Sequence, residues 1–324
     1  MTCVRPFGLQ HTPLVNRLQK QSTALHLEQA LTRPRGALWA ALLGHGSLAE
    51  GPVCTVVLRS SEEGRLMEGF AQARLRPGGD EADVICLAPS LDSHDAAEDI
   101  WRKLISGLAT ELARHGVQRV FARLSNELEA ARLFLDAGYS LYTREDIFQL
   151  HAPPAGAETH LLQLAGDESR WGISRLYAVV TPNIVRAAEG FGSAGTAGLP
   201  RFTAGEDAYV WDKGGEVGAF VRVVSGPRGH WMHILIHPDD TGRTEDVLRD
   251  ALAHLPTGGD VYCSVRAYQS HLRKPLQDVG FRFLTSQSVL VRQNVLPVRD
   301  AQLVPAALEK RAEARTPTAM RHDA

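Results

Sequence analysis

Cysteine is too sparse and too scattered here to build a metal site or a covalent framework. Cys3, Cys54, Cys86 and Cys263 stand far apart and no two form a Cys-x-x-Cys pair. That spacing excludes a zinc ribbon, an iron–sulfur site and a disulfide scaffold. The last three sit inside apolar runs, where a small buried thiol is expected. Long hydrophobic runs are also missing. The most apolar stretch, Ala37 to Leu43, falls far short of the ~20 residues that span a bilayer. The opening Met1-Thr-Cys-Val-Arg-Pro lacks the charged-then-apolar layout of a signal peptide. A cytoplasmic protein with no membrane association is therefore expected. Charge of one sign is lacking too: 35 Lys and Arg against 37 Asp and Glu leave a net charge of -2. No general phosphate-neutralising surface is available, so nucleic acid is not an expected partner. Lysine is confined to Lys20, Lys103, Lys213, Lys274 and Lys310, and arginine carries most of the positive charge.

What remains is ordinary globular material: 324 residues, 44% hydrophobic and 22% charged. The length favours two domains. An internal repeat supports the same division. In the first half Asp83-Val-Ile-Cys-Leu-Ala-Pro89 reads as a buried strand. A polar turn follows, then a helix whose Ile100, Trp101, Leu104, Ile105, Leu108 and Leu112 recur at three- and four-residue steps. Gly116 ends it. Val117–Leu124 reads as the next strand, Asn126 as the cap of a helix closed by Gly138, and 139–142 and 145–150 as two final strands. The second half repeats this order. Strand Trp231–His237 ends at Pro238, a polar turn leads to a helix over 245–255, and Asp260–Arg266 is a strand. A helix over 270–279 then stops at Gly280, and 281–284 and 288–292 are strands. Two further strands precede each block, at 53–58 and 66–75 and at 209–213 and 217–224, with amphipathic helices around 13–20 and 168–180 before them. The proline-rich His151–Ala157 is the expected boundary. The domains so divided are 1–151 and 152–299, with a helix or tail over 300–324. The glycine-rich 189–198 reads as a loop.

The strand ending in Pro, its turn and helix, and the late Asn126…Ala130…Leu133-Phe-Leu-Asp-Ala-Gly-Tyr139 segment resemble the GNAT superfamily of N-acetyltransferases. Both halves carry the pattern, so the chain resembles two GNAT-like folds in tandem, an α/β (α+β) architecture of mixed, twisted sheets flanked by helices. The resemblance implies that the fourth and fifth strands of each half splay apart to admit the pantetheine arm of an acyl-CoA. It also implies acetyl-CoA as co-substrate and an amine as acceptor. In the family a glycine-rich turn after the fourth strand points backbone N–H groups at the diphosphate of CoA, helped by the following helix N-terminus. By that correspondence the cofactor-binding candidates are Leu87, Ala88, Ser93, His94, Asp95 and Ala96 in the first half. In the second half they are Ile236, Gly242, Arg243 and Thr244.

The turns depart from the family pattern. Asp92 stands where Arg or Gln belongs, Ser93 and Asp95 replace glycines, and Glu98 and Asp99 follow. Beside a diphosphate these acids repel; at a helix N-terminus they complement the dipole. The second turn keeps Gly242 and offers Arg243, with Glu245 and Asp246 next. The family's leaving-group tyrosine is replaced by Phe134 and Leu276, leaving Tyr139, Tyr142 or Tyr268 as substitutes. The expected base is His233, on the fourth strand of the second half beside His230 and His237. His233 and His237 share a sheet face but lie ~13 Å apart along a strand, too far for one ion, so no metal is expected. Glu68 and Asp83 are the first-half carboxylates nearest the implied cleft. The expected activity is acetyl transfer from acetyl-CoA to an amine. The alternative is an inert GNAT-fold module that binds a ligand or another subunit, and the pattern also allows a homodimer.

Overall fold

The structure, a computed structural model, describes residues 4–45, 53–62, 65–93, 96–125, 128–151, 160–190 and 206–294. The expected cap Asn126, the linker 152–157, most of the glycine-rich loop and the 300–324 tail lie outside the described residues.

The first half opens with strand β1 (Val4–Pro6), helix α1 (Thr12–Leu18), the two-residue strand β2 (Thr23–Ala24), and helices α2 (Leu27–Thr32) and α3 (Ala37–His45). Three long strands follow: β3 (Val53–Glu62), β4 (Arg65–Leu75) and β5 (Glu81–Ala88). Helix α4 (Ala97–Arg114) and strand β6 (Arg119–Ser125) come next, then helix α5 (Leu128–Asp136) and strand β7 (Ser140–Leu150). The second half holds β8 (Gln163–Leu164), α6 (Arg170–Val180), α7 (Asn183–Ala188), β9 (Glu206–Asp212), β10 (Val217–Gly226) and β11 (Gly229–Ile236). It closes with α8 (Thr244–Ala253), β12 (Asp260–Arg266), α9 (Arg273–Val279) and β13 (Arg282–Gln293).

The helical periodicities translate directly into packing. On α4 the expected stripe Ile100, Trp101, Leu104, Ile105, Leu108 and Leu112 is buried in the first core. Trp101 satisfies its indole N–H on the Pro89 carbonyl at 2.7 Å. On α8, Val247, Leu248, Ala251 and Leu252 do the same in the second core. Each such valine, leucine or isoleucine contributes about 1.5–3 kcal/mol on burial. Gly280 ends α9 at φ 110°, a left-handed position that a residue with a Cβ enters only with strain.

The sheet departs from expectation in one respect. All thirteen strands of the described residues form one sheet, in the order β1-β3-β4-β5-β6-β13-β7-β12-β11-β10-β9-β8, with β2 paired to β5 off that path. The last strand of each half is therefore inserted into the other half's territory. β13 runs antiparallel to both β6 and β7, and β7 continues onto β12. The pairs of short strands expected at the end of each half are single long strands. Residues 285–287, which fall between the two strands expected at the end of the second half, pair with β7 across the exchange. Gln287 donates to Glu145, Ser286 donates to Asp146, and both Gln287 and Glu145 are buried. Among the described residues no helix is long and apolar enough to cross a membrane.

Candidate functional site

Two strand pairs in this sheet are parallel, and both part company after a short run. β5 and β6 stay in register from Glu81 with Arg119 to Asp83 with Phe121. β11 and β12 stay in register from Gly229 with Asp260 to His233 with Ser264. Beyond these points β5 and β11 each have a free edge, and the halves treat it differently. In the first half the chain's own N-terminal segment lies along that edge. Thr23 and Ala24 pair antiparallel with Leu87 and Cys86, the Leu25 N–H donates to the Ile85 carbonyl at 2.9 Å, and the Ser90 N–H donates to the Gln21 carbonyl at 2.6 Å. In the second half no described strand covers Ile234 to Ile236. Among the described residues one side chain bonds this edge: the buried Gln269 amide donates to the Ile234 carbonyl at 2.6 Å. Strand alternation turns the backbone groups of Ile236 to the same side as those of Ile234. A cavity of about 460 Å³ opens here, lined by both halves.

His233 sits where β11 and β12 separate. Its Nε2 is 3.0 Å from Glu28 Oε2, and its Nδ1 is 2.9 Å from Ser264 Oγ. Glu28 comes from α2 of the first half, and α2 is held in place by its sequence. Leu27 and Leu31 pack against Val224, Trp231 and Tyr262 of the second half. His26 caps the helix through Nδ1, accepting from the Gln29 N–H at 3.3 Å, and Arg33 donates to the Ser225 carbonyl at 2.7 Å beyond its end. Burial pushes His26 down to about 4, so it accepts as a neutral ring. Burial alone would raise Glu28, but the His233 hydrogen bond and the charge of Arg222 outweigh it and hold the carboxyl well below the usual range. A charged Glu28 can only accept, so the tautomer of His233 that fits these contacts has its proton on Nε2 and presents Nδ1 as an acceptor to the Ser264 hydroxyl.

Around this relay the cavity wall is built of arginine–carboxylate pairs. Arg76 grips Asp83 through two bonds of 2.7 Å, and Arg123 adds a third at 2.8 Å. Arg222 holds Glu206 at 2.8 and 3.1 Å. Arg266 lies 3.1 Å from Glu145 and 3.3 Å from Glu189. Tyr142 and Tyr177 donate to Glu189 at 3.0 and 2.6 Å. For Asp83 burial works upward, yet Arg76 and Arg123 keep its carboxyl well below the ordinary range. Two guanidinium groups so close leave it no use as a base. Glu68, the other first-half carboxylate, is taken up by Arg17 and Arg59.

The remaining sequence candidates scatter. Leu87 and Ala88 are buried, and the edge that Leu87 would offer a pantetheine is covered by β2. Ser93 turns its hydroxyl onto the Ser90 carbonyl at 2.7 Å. The Ala96 carbonyl accepts from Ile100 at 3.0 Å as part of α4. His94 and Asp95 lie outside the described residues. In the second turn a Cβ on Gly242 would meet open space, so no close approach requires the glycine. Arg243 pairs with Asp246 at 3.1 Å and lies over the Trp211 ring, while the buried Thr244 donates to the Thr241 carbonyl at 2.6 Å. His230 bonds Ser225 and the Gly258 carbonyl, and His237 accepts from the Asp239 N–H. Phe134 and Leu276 are core residues. Of the three substitute tyrosines, Tyr139 packs on Phe134 and Tyr142 holds Glu189, whereas Tyr268 lines the cavity. Glu28, Ser264, Gln269 and Arg222 were not expected at the site. No motif marks them, because each acquires its role only by contact with a distant segment.

No family model matches the chain, and no curated protein matches it. Solved structures do. A tandem GNAT protein from the clavulanic acid biosynthesis pathway superposes with a TM-score of 0.52 at 16% identity, over 92% of this chain and 100% of its own. A GCN5-related N-acetyltransferase from Sphaerobacter thermophilus gives 0.51 at 12% identity, over 90% of this chain and 95% of its own. At such identities the likeness concerns architecture alone. The chain has the fold of the GNAT acetyltransferases.

Proposed function

We propose that the second half, from residue 152 to 299, is an acyl-CoA-dependent N-acyltransferase site, and that the first half, 1–151, buttresses it. One observation carries this reading: the edge of β5 is filled by Gln21–Leu25, whereas the edge of β11 opens on a cavity with His233 at the point of separation. Acetyl-CoA is the co-substrate, its pantetheine amides meeting the backbone of Ile234 and Ile236. Gln269 leaves the Ile234 carbonyl to admit it. The diphosphate lies toward Gly242, Arg243 and Thr244.

The relay then supplies the proton traffic. The acceptor nitrogen attacks the thioester carbonyl, forming the C–N bond as the C–S bond breaks. Its proton passes to Ser264 Oγ while Ser264 gives its own to His233 Nδ1, and Glu28 stabilises the imidazolium. The departing thiolate takes a proton from Tyr268, whose hydroxyl burial keeps protonated, or from water.

Thermal unfolding with and without acetyl-CoA is the test. A ligand that binds only the folded protein raises the midpoint by mass action, and transfer is then followed as thiol release with an amine panel. No shift at millimolar acetyl-CoA would end this reading. The inert alternative is favoured by one feature, the Gln269 amide already seated on the Ile234 carbonyl. It predicts no thiol release with any amine.

A further inference from the structure

Four of the five arginines that line the cavity are matched by carboxylates, as described above. The fifth is not. Arg74, near the end of β4, is half-buried, and its side chain makes no ion pair or hydrogen bond among the described residues. A cation drawn out of water without a partner is costly, and its surroundings do not relieve it. Burial and the like charge of Arg35 both work against its protonated form, offset in part by Asp83 and Glu28. Asp83 is already saturated by Arg76 and Arg123, and Glu28 is engaged with His233. Arg74 therefore has a vacant planar fork of donors in the same cavity as the His233 relay, a geometry that suits a carboxylate. The other charged lining side chain without an ion pair or hydrogen bond among the described residues is Asp80, on the turn between β4 and β5. A wall left with one spare cation and one spare anion matches a ligand that carries both signs. The cavity, about 460 Å³, is in the range of small-molecule sites.

We infer that the acceptor is an amine that also bears a carboxylate, an amino-acid-type zwitterion, and that Arg74 is its carboxylate anchor. This rests on the acyltransferase reading for the word acceptor, while the carboxylate site can be tested without it. Arg74 belongs to the first half, and the relay joins Glu28 of the first half to His233 and Ser264 of the second, so the acceptor lies between them.

The first arm compares acetyl transfer to matched pairs that differ only in the carboxylate: alanine with ethylamine, phenylalanine with phenethylamine, γ-aminobutyrate with propylamine. At least a tenfold higher kcat/KM for the carboxylated member of one or more pairs is expected. Arg74→Ala should erase that preference mainly through KM, and Arg74→Lys should restore part of it. Equal rates within every pair, or a preference that survives Arg74→Ala, would overturn the inference and leave the acyltransferase reading standing. The second arm needs no turnover. N-acetylalanine, N-acetylphenylalanine and N-acetyl-γ-aminobutyrate are added to the full chain, and the unfolding midpoint is followed in wild type, Arg74→Ala and Arg74→Lys. At least one should raise the midpoint in wild type and not in Arg74→Ala, whose own midpoint without ligand reports that it folds. No shift in wild type, or an equal shift in Arg74→Ala, overturns the anchor. If no amine is acetylated while this shift is present, the transfer chemistry fails and the carboxylate site stands.

Discussion

Asp83 and His233 occupy equivalent places: each sits on its strand at the last register pair before the parallel partners separate. Their surroundings set them apart. Asp83 is clamped by two arginines and faces a strand edge closed by the chain's own N-terminal segment. His233 is held by one carboxylate and one hydroxyl and faces an edge that is nearly open. One fold position has become structural in one copy and available for chemistry in the other. A repeat alone does not say which copy works, because competence depends on whether the separated edge is filled and whether the apex residue is free to exchange a proton.

The sharpest way to break this comparison is to change both apex residues. His233→Gln can keep a hydrogen bond to Glu28 but cannot take a proton, so acetyl transfer should fall by about 10²–10⁴-fold, with the unfolding midpoint little changed. Asp83→Asn should do the reverse. It leaves Arg76 and Arg123 facing a neutral amide and should cost about 3–5 kcal/mol in urea unfolding, while the Michaelis constant for acetyl-CoA stays as it was. If Asp83→Asn abolishes transfer in a protein that is still folded, the assignment of roles is wrong.

Acid gives a second handle on the same difference. Asp83 and Glu28 have folded pKa values below their ordinary 3.8 and 4.5. Their stabilisation is complete above the unfolded carboxylate range and is lost as pH falls through the lower folded values. Stability should therefore drop on acidification below about pH 4, and Asp83→Asn should flatten that limb because one of its contributors is gone.

Two smaller effects sharpen the contrast between the edges. Leu25→Ala loosens the segment that covers β5 and should cost about 2–5 kcal/mol, yet calorimetric titration should still find one acetyl-CoA per chain. A second equivalent would show that the first edge is merely covered. Gln269→Ala removes the side chain seated on the second edge and should cost about 1–3 kcal/mol by leaving the Ile234 carbonyl without its donor. Acetyl-CoA should bind it more tightly than wild type, because nothing then has to be displaced. Weaker binding would place Gln269 among the ligand's own contacts.

The order of strands and helices was legible because apolar periodicity is written locally, as in Trp101, Leu104 and Leu108 on α4. The strand exchange was not. Ser286 and Gln287 look like a turn until Asp146 and Glu145 are set opposite them. Pairing partners of a strand are not encoded in its own period. The site was half visible. His233 stood out as a titratable residue on a strand that the resemblance placed near the reaction, but Glu28 lies on a six-residue helix and Ser264 is one polar residue inside a β-rich run. Arg74 is conspicuous only through the side-chain partner it lacks among the described residues.

The exchange of final strands has a consequence for synthesis. Asn294, just past β13, donates to the carbonyl of Val117, 177 positions earlier in the chain. While the protein emerges from the ribosome, β6 and β7 of the first half have no strand to lie between them until nearly the whole described chain has been made. Contacts of such long sequence separation form slowly, and unpaired edges invite association in the interval. The nascent first half is thus a waiting intermediate whose sheet is completed by the last strand of the second, so both halves reach their final form together.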